Sequence, residues 1–329
     1  MKLQANRICH RSVVALTMIA ALCCAVSNAA EKSKPAPTLA DVAYGEHPRQ
    51  VLDFWKAESK EPTPLVLFIH GGGWSALDKS NAVKMLDVPR LLREGISVAA
   101  INYRFVSHAQ KAGVSPPVKW PLEDAARALQ IIRSNAEPWN LDKERVGACG
   151  GSAGACSSLW LALHDDMADP KSADPVARES TRLWCAAVAG AQTSLDPEQM
   201  RAWMPNITYG GHAFGFRTDG KDKAAEFQRF YDAREQILPF IKQYSPISHA
   251  SADDPPLYLS YSQKERAVRG EAQADPTHSA LFGLMLKEEL APLGVEVIVD
   301  YPAERHGRYR NLTDFFVAKL KQPQSASEK

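Results

Sequence analysis

The chain has 329 residues, of which 45% are hydrophobic and 23% are charged, with 39 Lys and Arg against 38 Asp and Glu. A formal net charge of +1 gives no field for holding nucleic acid or an anionic membrane, and the ordinary charged-residue and glycine contents exclude a disordered or collagen-like chain. The length suits one large domain or two small ones, with a sizeable core.

The first 29 residues have the pattern of a secretory signal peptide. Lys2, Arg7 and Arg11 form a basic start, residues 13–26 are mostly apolar, and Ser27-Asn28-Ala29 suits signal peptidase. The apolar run is shorter than the roughly 20 residues of a membrane-spanning helix, so a cleaved signal is favoured over an anchor. We therefore expect export to the periplasm or the extracellular space, with no stable membrane insertion after cleavage.

Apolar runs typical of strands alternate with helical patterns through the rest of the chain. Residues 121–134 and 281–293 carry apolar side chains at helical spacing. This alternation predicts an α/β fold, with a mostly parallel central sheet and helices on both faces. The predicted strands lie at residues 51–55 (an early edge strand), 65–69, 96–101, 146–149, 183–189, 257–261 and 295–299.

One domain is expected over residues 42–320, between a loose N-terminal tail at 30–41 and a C-terminal tail at 321–329. Within the domain, residues 192–250 interrupt the alternation, because they are rich in aromatic residues, Gly and Pro and contain no clear central strand. This region is predicted to be a cap-like insertion over a cleft, although a surface excursion with no role in substrate choice is equally compatible with its composition.

Three cysteines remain after the signal segment, namely Cys149, Cys156 and Cys185. An odd number is no disulfide framework, so buried free thiols are favoured over a Cys149–Cys185 bridge. No Cys/His spacing suggests a zinc site, and no metal is expected.

The first motif with chemical meaning is Gly150-Gly151-Ser152-Ala153-Gly154, which follows an apolar strand and opens a helix-prone segment. This is G-x-S-x-G in a strand–turn–helix context, the nucleophile elbow, in which a sharp turn lifts the serine hydroxyl above the sheet. Ser152 is therefore the candidate nucleophile, and the helix N-terminus favours negative charge beside it.

The second motif is His70-Gly71-Gly72-Gly73-Trp74, directly after the strand at 65–69. Consecutive glycines let backbone N–H groups point at one spot, as a tetrahedral intermediate with a charged oxygen requires. We predict an oxyanion hole made by the N–H groups of Gly72, Gly73 and Ala153. His70 is expected to brace the loop, and the run lacks the Lys-Ser/Thr ending of a phosphate loop.

At these two motifs the sequence resembles the α/β-hydrolase fold, and within it the hormone-sensitive-lipase-like and feruloyl-esterase-like carboxylesterases. Asp78-Lys79, Asn102-Tyr103-Arg104 and Asp254-Pro255-Pro256 also look like that family. The resemblance covers roughly residues 42–320, and it implies hydrolysis of carboxylic esters without a metal or an organic cofactor.

The resemblance also implies a catalytic triad in the order serine, acid, histidine. His306 comes shortly after the last predicted strand, where the family places its histidine, and it would take the proton of Ser152 and return it to the leaving alcohol. The aromatic residue that the family usually has two positions later is Arg308 here.

Two residues compete for the role of the acid. Counting forward from the strand at 257–261 gives Glu265, whereas counting back from the helix that ends at Gly294 gives Asp275. We prefer Asp275, because helix packing fixes a position better than a lengthened loop does. His278 follows in a D-x-x-H pattern used by serine hydrolases of an unrelated fold. Since their other motifs are missing, His278 is expected to be a bystander near the site.

The expected function is a serine hydrolase that cleaves acyl, acetyl or feruloyl esters, on small molecules or on polysaccharides, through an acyl-enzyme intermediate. The alternative is an arylformamidase-like amide hydrolase of the same fold. Trp74 is compatible with this alternative, whereas export argues against it. A non-catalytic binding protein on a hydrolase scaffold is disfavoured, because Ser152, His306 and the glycine loop are all present. Neither the substrate nor the oligomeric state follows from the residues.

Overall fold

The computed structural model describes residues 35–217 and 222–322. The predicted signal peptide and most of the predicted C-terminal tail lie outside the described residues. Within the described ranges, no helix combines the length and the apolar character needed to cross a bilayer.

Eight strands form one sheet, in the order β1-β2-β4-β3-β5-β6-β7-β8. β2 is antiparallel to both of its neighbours, β1 and β4. The strands β3 to β8 all run parallel to one another. The strands are β1 (Leu39–Ala43), β2 (Val51–Trp55), β3 (Thr63–Ile69), β4 (Ser97–Ile101), β5 (Leu141–Gly151), β6 (Cys185–Ala189), β7 (Leu257–Ser260) and β8 (Val297–Asp300). This arrangement confirms the predicted α/β-hydrolase architecture with its mostly parallel sheet.

Helices cover both faces of this sheet. The described residues contain α1 (Ala82–Met85), α2 (Val88–Arg93), α3 (Val106–Lys111), α4 (Lys119–Ser134), α5 (Ala136–Trp139), α6 (Ala153–Leu163), α7 (Pro197–Trp203), α8 (Lys223–Asp232), α9 (Arg234–Tyr244), α10 (Leu281–Leu290) and α11 (Leu312–Leu320). Every residue of β3 and β4 is buried, because both faces of these strands are packed.

Side chains that alternate along β3 separate two hydrophobic clusters. Leu65 and Leu67 belong to the cluster that contains α4, α6 and α10, whereas Val66 and Phe68 belong to the cluster that contains α2 and α11. Cys149, Cys156 and Cys185 are buried free thiols, as expected.

The N-terminal segment corrects two expectations. Part of the predicted loose tail forms β1, which lies at the edge of the sheet, so the strand at 51–55 is not an edge strand. The Lys79 ammonium binds the carboxylates of Asp41 and Asp53 at 2.9 Å, and the Trp55 indole donates to the Pro35 carbonyl at 2.8 Å. These polar contacts hold β1 in place. Because most residues of β1 are exposed, its sequence lacks the apolar pattern that would predict a strand.

The region 192–250 lies between β6 and β7, and its described residues contain α7, α8 and α9. Met200, Trp203 and Phe230 from this region join the cluster around α6, so these helices pack against the main domain. Part of its aromatic content therefore serves packing.

Candidate active site

The turn from β5 into α6 carries Ser152 in a conformation that L-residues rarely adopt, with φ 53° and ψ −121°. Its backbone N–H donates to the Ala189 carbonyl at 2.9 Å. A Cβ atom on Gly154 would lie 2.1 Å from the Ile69 carbonyl oxygen, so only glycine fits where α6 meets the end of β3. The local packing thus explains the strand–turn–helix motif and holds the hydroxyl at the carboxyl edge of the sheet.

The Ser152 hydroxyl contacts His278, whose Nε2 lies 3.0 Å from Oγ. On the other side of the ring, Nδ1 lies 2.9 Å from the Asp275 carboxylate. An ionised carboxylate only accepts hydrogen bonds, so Nδ1 carries the proton and Nε2 of the neutral ring accepts from the serine hydroxyl. Ser152, His278 and Asp275 thus form a linear chain with the geometry of a catalytic triad.

Asp275 and His278 sit on a single short turn, the 3₁₀ helix Pro276–His278. Asp275 caps this turn, since its carboxylate also accepts the backbone N–H of His278 at 3.3 Å. The Asp275 side chain is 64% exposed and that of His278 is 36% exposed. Asp275 and His278 are therefore held by local hydrogen bonds, not by burial.

The structure does not bring His306 to the serine. His306 is exposed, and its backbone N–H donates to the Asp300 carboxylate at 2.8 Å, while Arg305 binds the same carboxylate at 2.7 Å. Among the described residues, no hydrogen bond joins the His306 ring to Ser152 or Asp275. The buried Asp300 at the end of β8 thus holds this loop with the His306 ring in solvent.

The structure does not place His278 as a bystander, because its ring lies between Ser152 and Asp275 and contacts both. The signal in the sequence is the Asp-x-x-His spacing, but the other motifs of the serine hydrolases that share it are missing here, so the spacing alone does not identify His278. Of the two candidate acids, Asp275 contacts a histidine. Glu265 is exposed and lines a small cavity beside Asp275, with no hydrogen bond to either histidine among the described residues.

The glycine loop after β3 lies beside the serine. Gly72 has φ +87°, in the left-handed region that favours glycine. Within the described chain, the N–H groups of Gly72, Gly73 and Ala153 donate no hydrogen bond to another protein atom. The Trp74 indole donates to the Ser157 hydroxyl at 3.0 Å, which ties the loop to α6. Three unpaired N–H groups are thereby available for a ligand.

His70 braces this loop from below. Its ring is fully buried and stacks on Tyr103, with the centroids 4.1 Å apart. Nδ1 lies 2.9 Å from the Gly71 carbonyl, and Nε2 lies 3.2 Å from the Arg49 guanidinium. Burial, with a smaller contribution from the nearby Arg49 charge, lowers the pKa of His70 to about 4, so the ring is neutral at pH 7. These contacts fit the structural role expected for this histidine.

Ser152 opens into a cavity of about 660 Å³. Gly72, Ser152 and His278 line it on the catalytic side, and Met85, Tyr258 and Leu312 supply apolar walls. Its charged lining residues are Lys84, Asp275, Asp300, Arg305 and Arg310. The cavity has space for a substituent much larger than an acetyl group.

The model of the BD-FAE family matches residues 52–281, which include both glycine motifs, Ser152, Asp275 and His278. In Mycobacterium tuberculosis (strain H37Rv), esterase LipC is 30% identical over 242 residues, 69% of this chain and 51% of LipC. The probable carboxylic ester hydrolase LipM of the same organism is 25% identical over 241 residues, 69% of this chain and 48% of LipM. The chain therefore spans about half the length of these curated relatives.

Among solved structures, a truncated carbohydrate esterase from gut microbiota matches with a TM-score of 0.62 at 18% identity. The match covers 89% of this chain and 99% of that chain. At this identity the likeness shows a shared fold.

Proposed function

This chain belongs to the BD-FAE family of α/β-hydrolase carboxylesterases, and from that premise we propose that it is a serine esterase acting through an acyl-enzyme. Ser152 is the nucleophile, His278 is the general base and acid, and Asp275 orients His278. The observation that carries this proposal is the pair of contacts on the His278 ring, 3.0 Å to Ser152 Oγ and 2.9 Å to Asp275.

In the first half of the reaction, Nε2 of His278 takes the hydroxyl proton as Ser152 Oγ attacks the ester carbonyl carbon. The carbonyl oxygen becomes negatively charged, and the N–H groups of Gly72, Gly73 and Ala153 stabilise it. The imidazolium of His278, held by Asp275, then gives its proton to the alcohol oxygen as the ester C–O bond breaks. The acyl group remains on Ser152.

In the second half, water replaces the alcohol. His278 takes a proton from water, whose oxygen attacks the acyl carbon, and the same N–H groups stabilise the second tetrahedral intermediate. When the bond to Oγ breaks, His278 returns the proton to Ser152 and the carboxylic acid leaves. Each turnover consumes one water and restores the starting triad.

For the substrate class we propose carbohydrate-linked esters. The 660 Å³ cavity beside Ser152 offers room and polar side chains for a sugar unit. A solved neighbour that covers 89% of this chain is itself named as a carbohydrate esterase, which supports the same class. Release of acetate from acetylated oligosaccharides tests this class, and an enzyme that cleaves only simple aryl esters contradicts it.

The decisive experiment compares His278→Ala with His306→Ala, using 4-nitrophenyl acetate and butyrate and Ser152→Ala as the floor. We expect His278→Ala to lose at least about 10⁴-fold in kcat, because the whole triad acts as a unit. His306→Ala is expected to change kcat by less than about threefold, since its ring is exposed and unbonded to Ser152.

The reverse result, with activity lost in His306→Ala and kept in His278→Ala, would move the base to His306. Labelling of Ser152 by a fluorophosphonate checks the nucleophile independently of the base. Preferential cleavage of a formanilide over these esters would instead favour the arylformamidase-like alternative.

We also propose export, on the basis of the basic and apolar pattern of residues 1–29. Expression of the full chain in a secreting host should yield a protein whose N-terminus follows Ala29. A retained Met1 in the exported fraction would contradict cleavage.

A further inference from the structure

A second cavity, of about 260 Å³, borders the same catalytic loops as the first. Its lining includes Gly73 and Thr277. The larger cavity is lined by residues close to these two in the chain, namely Gly72, Asp275 and His278. The rest of its wall comes from described residues of the insertion, within 208–217 and 223–227. Because Gly72 lines one cavity and Gly73 lines the other, an ester bound at the glycine loop would lie next to both.

His212 is the residue of this wall that lies beside the glycine loop. Its Nε2 lies 3.5 Å from the position of a Cβ atom on Gly73, and its ring packs between Trp74 and Tyr209, at centroid distances of 5.6 Å and 5.0 Å. Nε2 is shielded from solvent and has no hydrogen-bond partner among the described residues, and the same is true of the Tyr209 hydroxyl. Unpaired buried polar atoms are rare in native proteins, so each of these two atoms calls for a partner that the protein does not itself supply.

The charges of the wall indicate what kind of ligand fits. Burial, with a smaller contribution from the Arg217 charge, lowers the pKa of His212 to about 4, so the ring is neutral at pH 7 and can donate or accept a hydrogen bond. The cations Arg217 and Lys223 and the Glu226 carboxylate also line the cavity. Donors and acceptors together suit hydroxyl groups, which need both, whereas a carboxylate in the wall disfavours an anion.

We propose that this second cavity is a subsite for a hydroxyl-bearing half of the ester, and that His212 hydrogen-bonds the hydroxyl group. The proposal rests on the proposed function, because it divides the ester that Ser152 attacks between the two cavities. It gives the insertion a role in substrate choice, through one histidine placed against the oxyanion loop.

The test uses two matched pairs of esters, because either the acyl or the alcohol half can occupy the subsite. 4-Nitrophenyl 3-hydroxybutyrate is compared with 4-nitrophenyl butyrate, and 2-hydroxyethyl 4-nitrobenzoate with ethyl 4-nitrobenzoate. We expect the hydroxylated member of one pair to have a kcat/KM about tenfold higher, because a site built for a hydroxyl group discriminates against its absence. The pair that shows the preference identifies the half that binds.

In His212→Phe the ratio of the two kcat/KM values within the preferred pair should fall to about one, because the ring can no longer hydrogen-bond the hydroxyl group. His212→Gln retains a donor and an acceptor and should restore part of the preference. His164→Phe is the control, since this histidine directly follows the end of α6 that lies away from Ser152. Thermal melting of each variant checks that it is folded.

Equal kcat/KM within both pairs, or a preference that survives His212→Phe, overturns the subsite while leaving the esterase intact. If the wild type hydrolyses none of the four esters and Ser152 is not labelled by a fluorophosphonate, the proposed function and the subsite both fall. The two failures are therefore distinguishable.

Discussion

The two halves of the candidate catalytic site are held in place by different means. Ser152 stands on the turn between β5 and α6, where the packing of α6 against the end of β3 leaves no room for a side chain at Gly154. Asp275 and His278 stand on one short exposed turn, joined by two hydrogen bonds within four residues. One half depends on the core of the domain, and the other depends on a local polar arrangement.

This difference explains why the sequence identifies Ser152 but does not identify the Asp275–His278 pair. Steric exclusion restricts a position to glycine and leaves a recognisable motif. A hydrogen-bonded Asp-x-x-His turn restricts only two side chains at a short spacing, which arises often by chance. Substitutions in the two halves should accordingly differ in whether they affect stability or turnover.

The largest effect is expected from Gly154→Ala in the buried half. Its Cβ would lie 2.1 Å from the Ile69 carbonyl, so β3 or α6 must shift, at a cost of at least about 4 kcal/mol. For a domain of this size we expect the Tm to fall by about 10 °C or more, or the soluble protein to be lost.

Gly270→Ala is the matched control for Gly154→Ala. Gly270 has φ +85° but nothing within 4 Å of an added Cβ, so only backbone strain of about 1–2 kcal/mol is expected. Differential scanning calorimetry of both variants measures the contrast. Equal Tm values would show that the turn does not depend on this close approach.

A smaller effect is expected from Asp275→Asn in the exposed half. Loss of a buried triad carboxylate can reduce turnover by about 10⁴-fold, but solvent screens a carboxylate that is 64% exposed. We expect kcat/KM for 4-nitrophenyl butyrate to fall by about 10–100-fold, with an unchanged Tm.

Glu265→Gln is the control for Asp275→Asn, because Glu265 is the other candidate acid and is also exposed. Its kcat/KM should stay within about twofold of wild type, since Glu265 bonds neither histidine in the described chain. A larger loss in Glu265→Gln than in Asp275→Asn would transfer the role of the acid.

The last effect concerns pH and the buried histidine under the glycine loop. The pKa of His70 is about 4 in the folded protein, below its ordinary value of 6.5, so the unfolded chain takes up the proton first as the pH falls. The stability from keeping this ring neutral is complete above about pH 6.5 and is lost as the pH falls towards 4. The slope for one proton is about 1.4 kcal/mol per pH unit.

Urea unfolding at pH 7.5, 6.5, 5.5 and 4.5, followed by tryptophan fluorescence, measures this slope. In His70→Gln the free energy of unfolding should depend less steeply on pH, by up to one proton. His212 has a pKa lowered in the same direction, so part of the slope should remain. An identical slope in His70→Gln would show that His70 is not held neutral by the fold.

The fold was predictable where burial is complete. β3 and β4 are buried at every residue and therefore read as continuous apolar runs, whereas β1 is exposed at four of its five residues and reads as a tail. Polar contacts from Lys79 and Asp53 hold β1, and such pairings between distant residues leave no pattern in the sequence.

The site was predictable at the serine and at the glycine loop, where the motifs occur in the expected structural context. The position of His306 was predicted from the resemblance alone. The loop that carries His306 is held by Asp300, whose carboxylate binds the Arg305 guanidinium and the His306 backbone N–H. No local sequence pattern predicts these contacts. The oxyanion role of Gly72, Gly73 and Ala153 remains a prediction.

Because Asp275 binds His278 within a single turn, these two residues form one structural unit that can move together. Any displacement of this turn separates Nε2 from Ser152 while the carboxylate–imidazole contact stays intact. The segment between β7 and α10 carries both residues, so in the proposed mechanism a change confined to this segment can remove or restore proton transfer without altering a strand of the sheet.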